Sequence, residues 1–320
     1  MEAREEAGLS KSTAVLSCTA MALLYVGILY TPTLILRLPQ PSSFKEFLLR
    51  RFVCAAIASV VSVAACALIL PVNIKEIPSL LGIYGVRMDH VWQAVVYPLC
   101  LTSLMYAGSM VLKLLLVVEA MKEHMDRGGG VLDFARDLLQ NFGSWVSSAV
   151  SNILAWLIGS VELLGVQAPV TEELVFRACM IPLLLCGGFE PYIVIGLCPI
   201  LFSLAHLNHW MEIYCQQNYS VIKASMVVGL QLSYTVIFGS YASLLFIRTG
   251  HLVSPLLAHV FCNFMGLPVF FARKKGGMVA LVFAAGVISF IWLLFPLTQP
   301  DLYHERTDDC RCWHGFCSWN

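Results

Sequence analysis

The chain has 320 residues, of which 58% are hydrophobic and 12% charged, with zero formal net charge and a mean hydropathy of +0.77. Soluble domains carry roughly 25% charged residues, so the composition excludes one and places the chain among polytopic membrane proteins. No basic tract stands out, and nothing in the charge pattern points to nucleic acid.

The first apolar run begins near Thr13, behind an N-terminus that holds Glu2, Glu5 and Glu6 as well as Arg4 and Lys11. A cleaved signal peptide needs a basic leading region and a small-residue cleavage site, so this run is read as a retained first helix. Apolar segments follow at 52–71, 92–119, 144–165, 172–187, 191–206, 222–247, 252–271 and 278–296, after 13–36. They predict an all-α, polytopic bundle of about eight transmembrane helices. The 172–187 piece is short and charged, and is expected to lie among other helices or to enter partway rather than face lipid.

Pro32, Pro98 and Pro199 fall inside apolar runs and are expected to kink or interrupt them. Residues 120–143, with Gly128-Gly129-Gly130, form the longest polar loop. There is no internal repeat. The parse is a single membrane-embedded domain, 1–298, with its chemistry within 165–270, and a polar tail, 299–320. Lys and Arg in 37–51, 120–143 and 273–275 put those loops on the cytosolic side, with Lys75, Arg87, Arg306 and Arg311 opposite.

Of the twelve cysteines, Cys18, Cys54, Cys66, Cys100, Cys179, Cys186, Cys198 and Cys262 lie in apolar segments, where a thiol acts as a small hydrophobe. Cys310, Cys312 and Cys317 cluster in the tail without a fourth ligand, which is weak ground for zinc. A flexible tail, a disulfide or an acylation site all remain open there.

Three polar groups interrupt the apolar background. The first is Thr171-Glu172-Glu173-Leu174-Val175-Phe176-Arg177. Each charge at the centre of a membrane helix costs roughly 2.5–3.5 kcal/mol on insertion scales, so three within six residues need a reason. On a helix Glu173 and Arg177 are four apart and pair, while Glu172 points about 100° away. Pro169 and Thr171 precede them, and Thr171 is a candidate N-cap. The second group is Phe202-Ser203-Leu204-Ala205-His206, whose Phe202 and His206 share a face. The third is His259-Val260-Phe261-Cys262-Asn263, again with polar residues four apart. His90, His124 and His251 read as loop residues, and His209 as a boundary residue.

Each group alone also fits a plain structural role: a buried ion pair, a helix-end histidine, a helix–helix hydrogen bond. Together they supply the parts for amide hydrolysis. Glu172 with His206 can hold and deprotonate a water, and His259 with Asn263 can donate to the developing oxyanion. No GxSxG nucleophile is present, and HExxH and HxxEH are absent. A zinc site assembled from Glu172, His206 and His259 is the chemical alternative, although no metal or cofactor is expected. Two other classes share the same residues. A non-catalytic membrane scaffold would use them for packing, and a transporter would use them as an ion site, against which the lack of repeats counts.

EExxxR, FxxxH and HxxxN, in that order over successive apolar segments, resemble the type II CaaX prenyl endopeptidases, the Ras-converting enzymes of the CPBP intramembrane glutamate protease family. Ala168-Pro169-Val170-Thr171 through Cys179, Phe246-Ile247-Arg248-Thr249-Gly250-His251-Leu252 and His259 through Gly266 read like the eukaryotic enzymes. The resemblance covers about residues 165–270; the N-terminal half matches only in hydrophobic layout. It implies an endopeptidase that removes the last three residues of farnesylated or geranylgeranylated CaaX proteins. Ras-like and Rho-like small GTPases and G-protein γ subunits are such substrates. It further implies a multi-pass place in the endoplasmic reticulum membrane, with the site open to the cytosol. By the same resemblance Glu172 and His206 activate water, His259 and Asn263 form the oxyanion hole, and Glu173 and Arg177 support them. Trp210, Phe238 and Tyr241 are too common as packing residues to be assigned substrate contacts.

Overall fold

The computed structural model describes residues 9–70, 77–137, 139–140, 164–204, 220–269 and 276–303, which are helical with no strand among them. They group into two compact units. The first draws on Met1–Pro98, Ala168–His259 and Thr298–Asn320, the second on Leu99–Gln167 and Val260–Leu297.

In the first unit, helix α1 (Lys11–Gly27) starts where the Ser10 hydroxyl accepts from the Thr13 amide, an N-cap. Helix α2 (Phe44–Ile69) starts earlier than its apolar run suggested. Ser43 caps it by accepting from the Glu46 amide, and Glu46 reaches back to the Ser42 amide at 2.8 Å. This is close to a capping box, and it draws Arg50 and Arg51 into the helix. The inward face of α2 is small and includes Ala55, Ala58, Ser59, Ser62 and Cys66, all buried. Small residues let helices approach closely in a membrane. Its other face exposes Ile57, Val60, Val61 and Leu68, which suits hydrocarbon rather than water.

Helix α3 (Ile77–Ile83) is short. Helix α4 (Val91–Met105) and helix α5 (Ala107–Asp126) were expected as one span but are bent by 73° at Tyr106. The cause is local. Tyr106 is buried, its hydroxyl donates to the Gly266 carbonyl at 2.8 Å, and its ring meets Phe261 edge-on. Pro98 lies within α4 and the helix runs on through it. His124, expected in a loop, sits in the last turn of α5.

Helix α6 (Leu164–Glu173), a π-helical turn (Leu174–Cys179) and helix α7 (Met180–Cys186) follow without a break. Helix α8 (Pro191–Leu204) runs on through Pro199 and packs along helix α9 (Val221–Thr249). Helix α10 (Val253–Met265) leads from the first unit into the second, where helix α11 (Gly276–Leu297) packs on α5.

Four stretches are long and apolar enough to cross a membrane: Lys11–Thr33, Glu46–Ile69, Val221–Thr249 and Gly276–Leu297. A fifth is added if α4 and α5 count as one bent span. The chain is therefore an all-helical, multi-pass membrane protein, but the described residues give four or five spans rather than eight. Part of the difference is that most of 144–165 lies outside the described residues. The rest is that α8 and α10 are short. His206, His209, Trp210, the basic turn at 273–275 and Cys310, Cys312 and Cys317 also lie outside the described residues.

Candidate active site

The charged triplet sits on the most enclosed segment of the first unit. Val175, Phe176, Arg177, Ala178, Cys179, Met180, Ile181, Leu183 and Leu184 have no exposed surface, as the short 172–187 piece was expected to show. An all-round apolar helix is stable only when surrounded, and α1, α2, α8 and α9 surround this one. Thr171 is not an N-cap. The helix already runs from Leu164 and carries Pro169 inside it. The Thr171 hydroxyl donates to the Ala168 carbonyl at 3.0 Å instead. Glu172 therefore stands mid-helix, and the helix dipole gives its carboxylate no terminal support.

Glu173 and Arg177 are both fully buried, and Arg177 Nη1 donates to Glu173 Oε1 at 3.0 Å. The pairing expected from their spacing is present. Arg177 lies within the π turn that begins directly after Glu173, a local widening of the helix that recurs at functional sites. The other face of the guanidinium lies over the Phe202 ring, 4.6 Å from its centroid, a cation–π contact in a desolvated place. Phe202 in turn meets Phe176 edge-on at 4.9 Å. The Phe of FxxxH thus covers the ion pair.

His259 approaches the same carboxylates from α10. Its Nδ1 lies 2.7 Å from Glu173 Oε1, and its Nε2 lies 3.7 Å from Glu172 Oε2. Glu173 already accepts from Arg177, so it acts on the imidazole as an acceptor and Nδ1 carries a proton. The ring is therefore aimed, with Nε2 toward Glu172. Phe238 packs on it at 5.0 Å, centroid to centroid.

The turn before α10 sets this geometry. Helix α9 ends at Gly250, whose φ of 65° is a left-handed C-cap and whose amide donates to the Phe246 carbonyl. The Leu252 amide then donates to the Gly85 carbonyl at 2.9 Å. A Cβ at Gly85, itself at φ +73°, would fall 2.7 Å from Leu252 N. Ser254 donates to the Ala94 carbonyl at 2.8 Å. His251 lies in the loop before α10, as expected, and is fully buried there, with Nε2 3.4 Å from the Tyr303 carbonyl.

Glu172, Glu173, Arg177 and His259 are therefore brought together. Asn263 follows one turn later on α10 and is exposed, and His206 lies outside the described residues. Among the described residues no three His, Cys, Asp or Glu side chains converge as a metal-ligand group. Sequence reasoning missed Tyr25 and Ser59. The Tyr25 hydroxyl is 2.9 Å from Thr171 Oγ1, and Ser59 Oγ, which donates to the Ala55 carbonyl at 2.8 Å, also lies 3.3 Å from the Thr171 carbonyl. A tyrosine or serine in an apolar helix carries no local sign of such a role.

Comparison with known proteins is consistent along the chain. The family profile described as Type II CAAX prenyl endopeptidase Rce1-like matches residues 138–265. A protein of Arabidopsis thaliana named CAAX prenyl protease 2 is 56% identical over 314 residues, covering 98% of this chain and 98% of that protein. The Homo sapiens protein of the same name is 35% identical over 302 residues, covering 92% of this chain and 84% of that one. The Caenorhabditis elegans protein of that name is 28% identical over 263 residues, covering 80% and 86%. No solved structure matches the chain.

Proposed function

The chain belongs to the type II CaaX prenyl endopeptidases, and on that premise we propose that it cleaves prenylated CaaX proteins by a water-activating glutamate mechanism. The bond broken is the amide after the prenylated cysteine, and the product is the free aaX tripeptide. The observation that carries the reading is His259 held between two adjacent carboxylates, one of them fixed by a buried arginine.

Glu172 has the freer carboxylate, since Glu173 is occupied by Arg177 and by His259 Nδ1. In this reading Glu172, with His206, takes a proton from water as the oxygen attacks the scissile carbonyl. The new C–O bond pushes the carbonyl electrons onto oxygen, and His259 Nε2 and the Asn263 amide donate to that oxyanion. Because Nδ1–H is given to Glu173, Nε2 donates only from a doubly protonated ring. Collapse of the intermediate expels the amine of the tripeptide, which takes the proton that Glu172 held.

The substrates are farnesylated or geranylgeranylated proteins such as Ras-like and Rho-like small GTPases and G-protein γ subunits. A prenyl chain prefers hydrocarbon, so it enters laterally between helices while the peptide stays at the polar face. The membrane is that of the endoplasmic reticulum, with the site open to the cytosol, and residues 1–298 act as one embedded domain.

The test is turnover of a farnesylated CaaX peptide by the purified protein in detergent, with and without chelator, beside Glu172→Gln. Tripeptide release that survives chelation and disappears in a folded Glu172→Gln supports the mechanism. Loss on chelation, restored by added metal, replaces it with a zinc enzyme.

A further inference from the structure

The reaction uses none of the buried thiols, yet three of them meet one short stretch of backbone. Cys198 Sγ lies 2.7 Å from the Phe176 carbonyl, Cys66 Sγ 3.5 Å from the Cys179 carbonyl and Cys18 Sγ 3.7 Å from the Met180 carbonyl. Phe176 and Cys179 belong to the π turn, and Met180 follows it. Each thiol thus adds a side-chain contact to the backbone of this buried stretch.

The other end of the charged triplet is held in the same way. The one proton of the Thr171 hydroxyl goes to the Ala168 carbonyl, so the Tyr25 hydroxyl donates to Thr171 Oγ1 at 2.9 Å. Ser59 shares its one proton between the Ala55 carbonyl at 2.8 Å and the Thr171 carbonyl at 3.3 Å. The spacings agree. Cys18 and Tyr25 are seven apart on α1, and Ser59 and Cys66 are seven apart on α2, about 10.5 Å of helix in each case. The atoms they hold, at 171 and at 179–180, are eight or nine residues apart, about 12–13 Å. Each helix thus grips both ends of the stretch that carries Glu172, Glu173 and Arg177.

We propose that Tyr25, Ser59, Cys18, Cys66 and Cys198 are positioning residues, a polar clamp that fixes the rotation and register of the catalytic helix against His259. This gives the N-terminal helices, which carry no catalytic motif, a direct part in turnover. The inference rests on Glu172 being the water-activating group.

The test uses the full-length protein and a farnesylated CaaX peptide, with Tyr25→Phe, Cys198→Ala, Cys198→Ser, the Tyr25→Phe/Cys198→Ala pair and Glu172→Gln assayed side by side. A neutral hydrogen bond is worth about a factor of five in rate if it is realised in the transition state. Tyr25→Phe and Cys198→Ala are each expected to lower kcat about fivefold, and the pair about 25-fold. KM should stay within about twofold, and gel filtration and thermal unfolding should stay near wild type. Cys198→Ser should recover most of the rate, because an O–H donor fits a 2.7 Å gap. Wild-type kcat in both Tyr25→Phe and Cys198→Ala overturns the proposal, as does equal loss in Cys198→Ala and Cys198→Ser. A rise in KM at unchanged kcat overturns it too. Glu172→Gln keeps the two readings apart. If it turns over normally, the catalytic assignment fails; if it is inactive while the clamp variants keep full kcat, the clamp alone fails.

Discussion

Glu173 takes two partners at one oxygen: Arg177 Nη1 at 3.0 Å and His259 Nδ1 at 2.7 Å. Both Glu173 and Arg177 are fully buried, so neither can turn to solvent if the other is removed. Breaking a buried pair from one side costs about 3–5 kcal/mol, whereas replacing both charges by groups of similar size is often close to neutral. Glu173→Gln should therefore lower stability by about 3 kcal/mol, and Glu173→Gln/Arg177→Met should recover most of that loss. Activity should not recover in the double variant, because the imidazole has lost the carboxylate that aims it. Thermal unfolding and peptide turnover on the same preparations separate the two effects. If the double variant regains turnover, Glu173 matters only for packing.

At the scale of elements, the helices could be read from hydrophobic runs and the Glu173–Arg177 pair from residues four apart, because both are local patterns. The features that escaped are long-range. Nothing near Tyr106 foretells that its hydroxyl binds Gly266 and breaks the span. Nothing near Thr171 foretells that its helix starts so much earlier. Of the prolines expected to kink or interrupt their runs, Pro98 and Pro199 interrupt nothing and stay inside their helices. Pro199 instead marks the crossing of α8 and α9, where a Cβ at Gly239 would lie 2.9 Å from Pro199 Cβ and 3.3 Å from Arg177 Nη2. The crossing needs a residue without a side chain. Overpacking of this kind costs about 1–3 kcal/mol, so Gly239→Ala should lower the unfolding temperature and, by moving Arg177, turnover. Gly229 on the same helix has nothing within 4 Å, and Gly229→Ala should be neutral or stabilise by up to about 1 kcal/mol. Equal unfolding temperatures for the two variants would refute the close crossing.

The first unit is assembled from three separated parts of the chain, and the middle one carries Glu172, Glu173, Arg177, Phe202 and His259. Its last part is fastened beside the turn that presents His259. Arg248 Nε, at the end of α9, donates to the Thr298 carbonyl at 3.0 Å and to Thr298 Oγ1 at 2.8 Å. Tyr303 is fully buried, its carbonyl near His251 and its ring edge-on to Tyr97. The Arg-Thr-Gly-His stretch is thus a junction where α9, α10 and the C-terminal residues meet, which explains polar side chains so deep in an apolar chain. Hydrogen bonds from a charged group are worth about 1.5–3 kcal/mol and neutral ones about 1. Arg248→Met removes both bonds and leaves the Thr298 carbonyl buried, and should cost about 3 kcal/mol; Thr298→Val removes one acceptor and should cost about 1. Because the junction also orients α10, the turnover lost in Arg248→Met should exceed that lost in Thr298→Val, with KM little changed. Unfolding temperatures in the reverse order would show that the Arg248 contacts do not hold the junction.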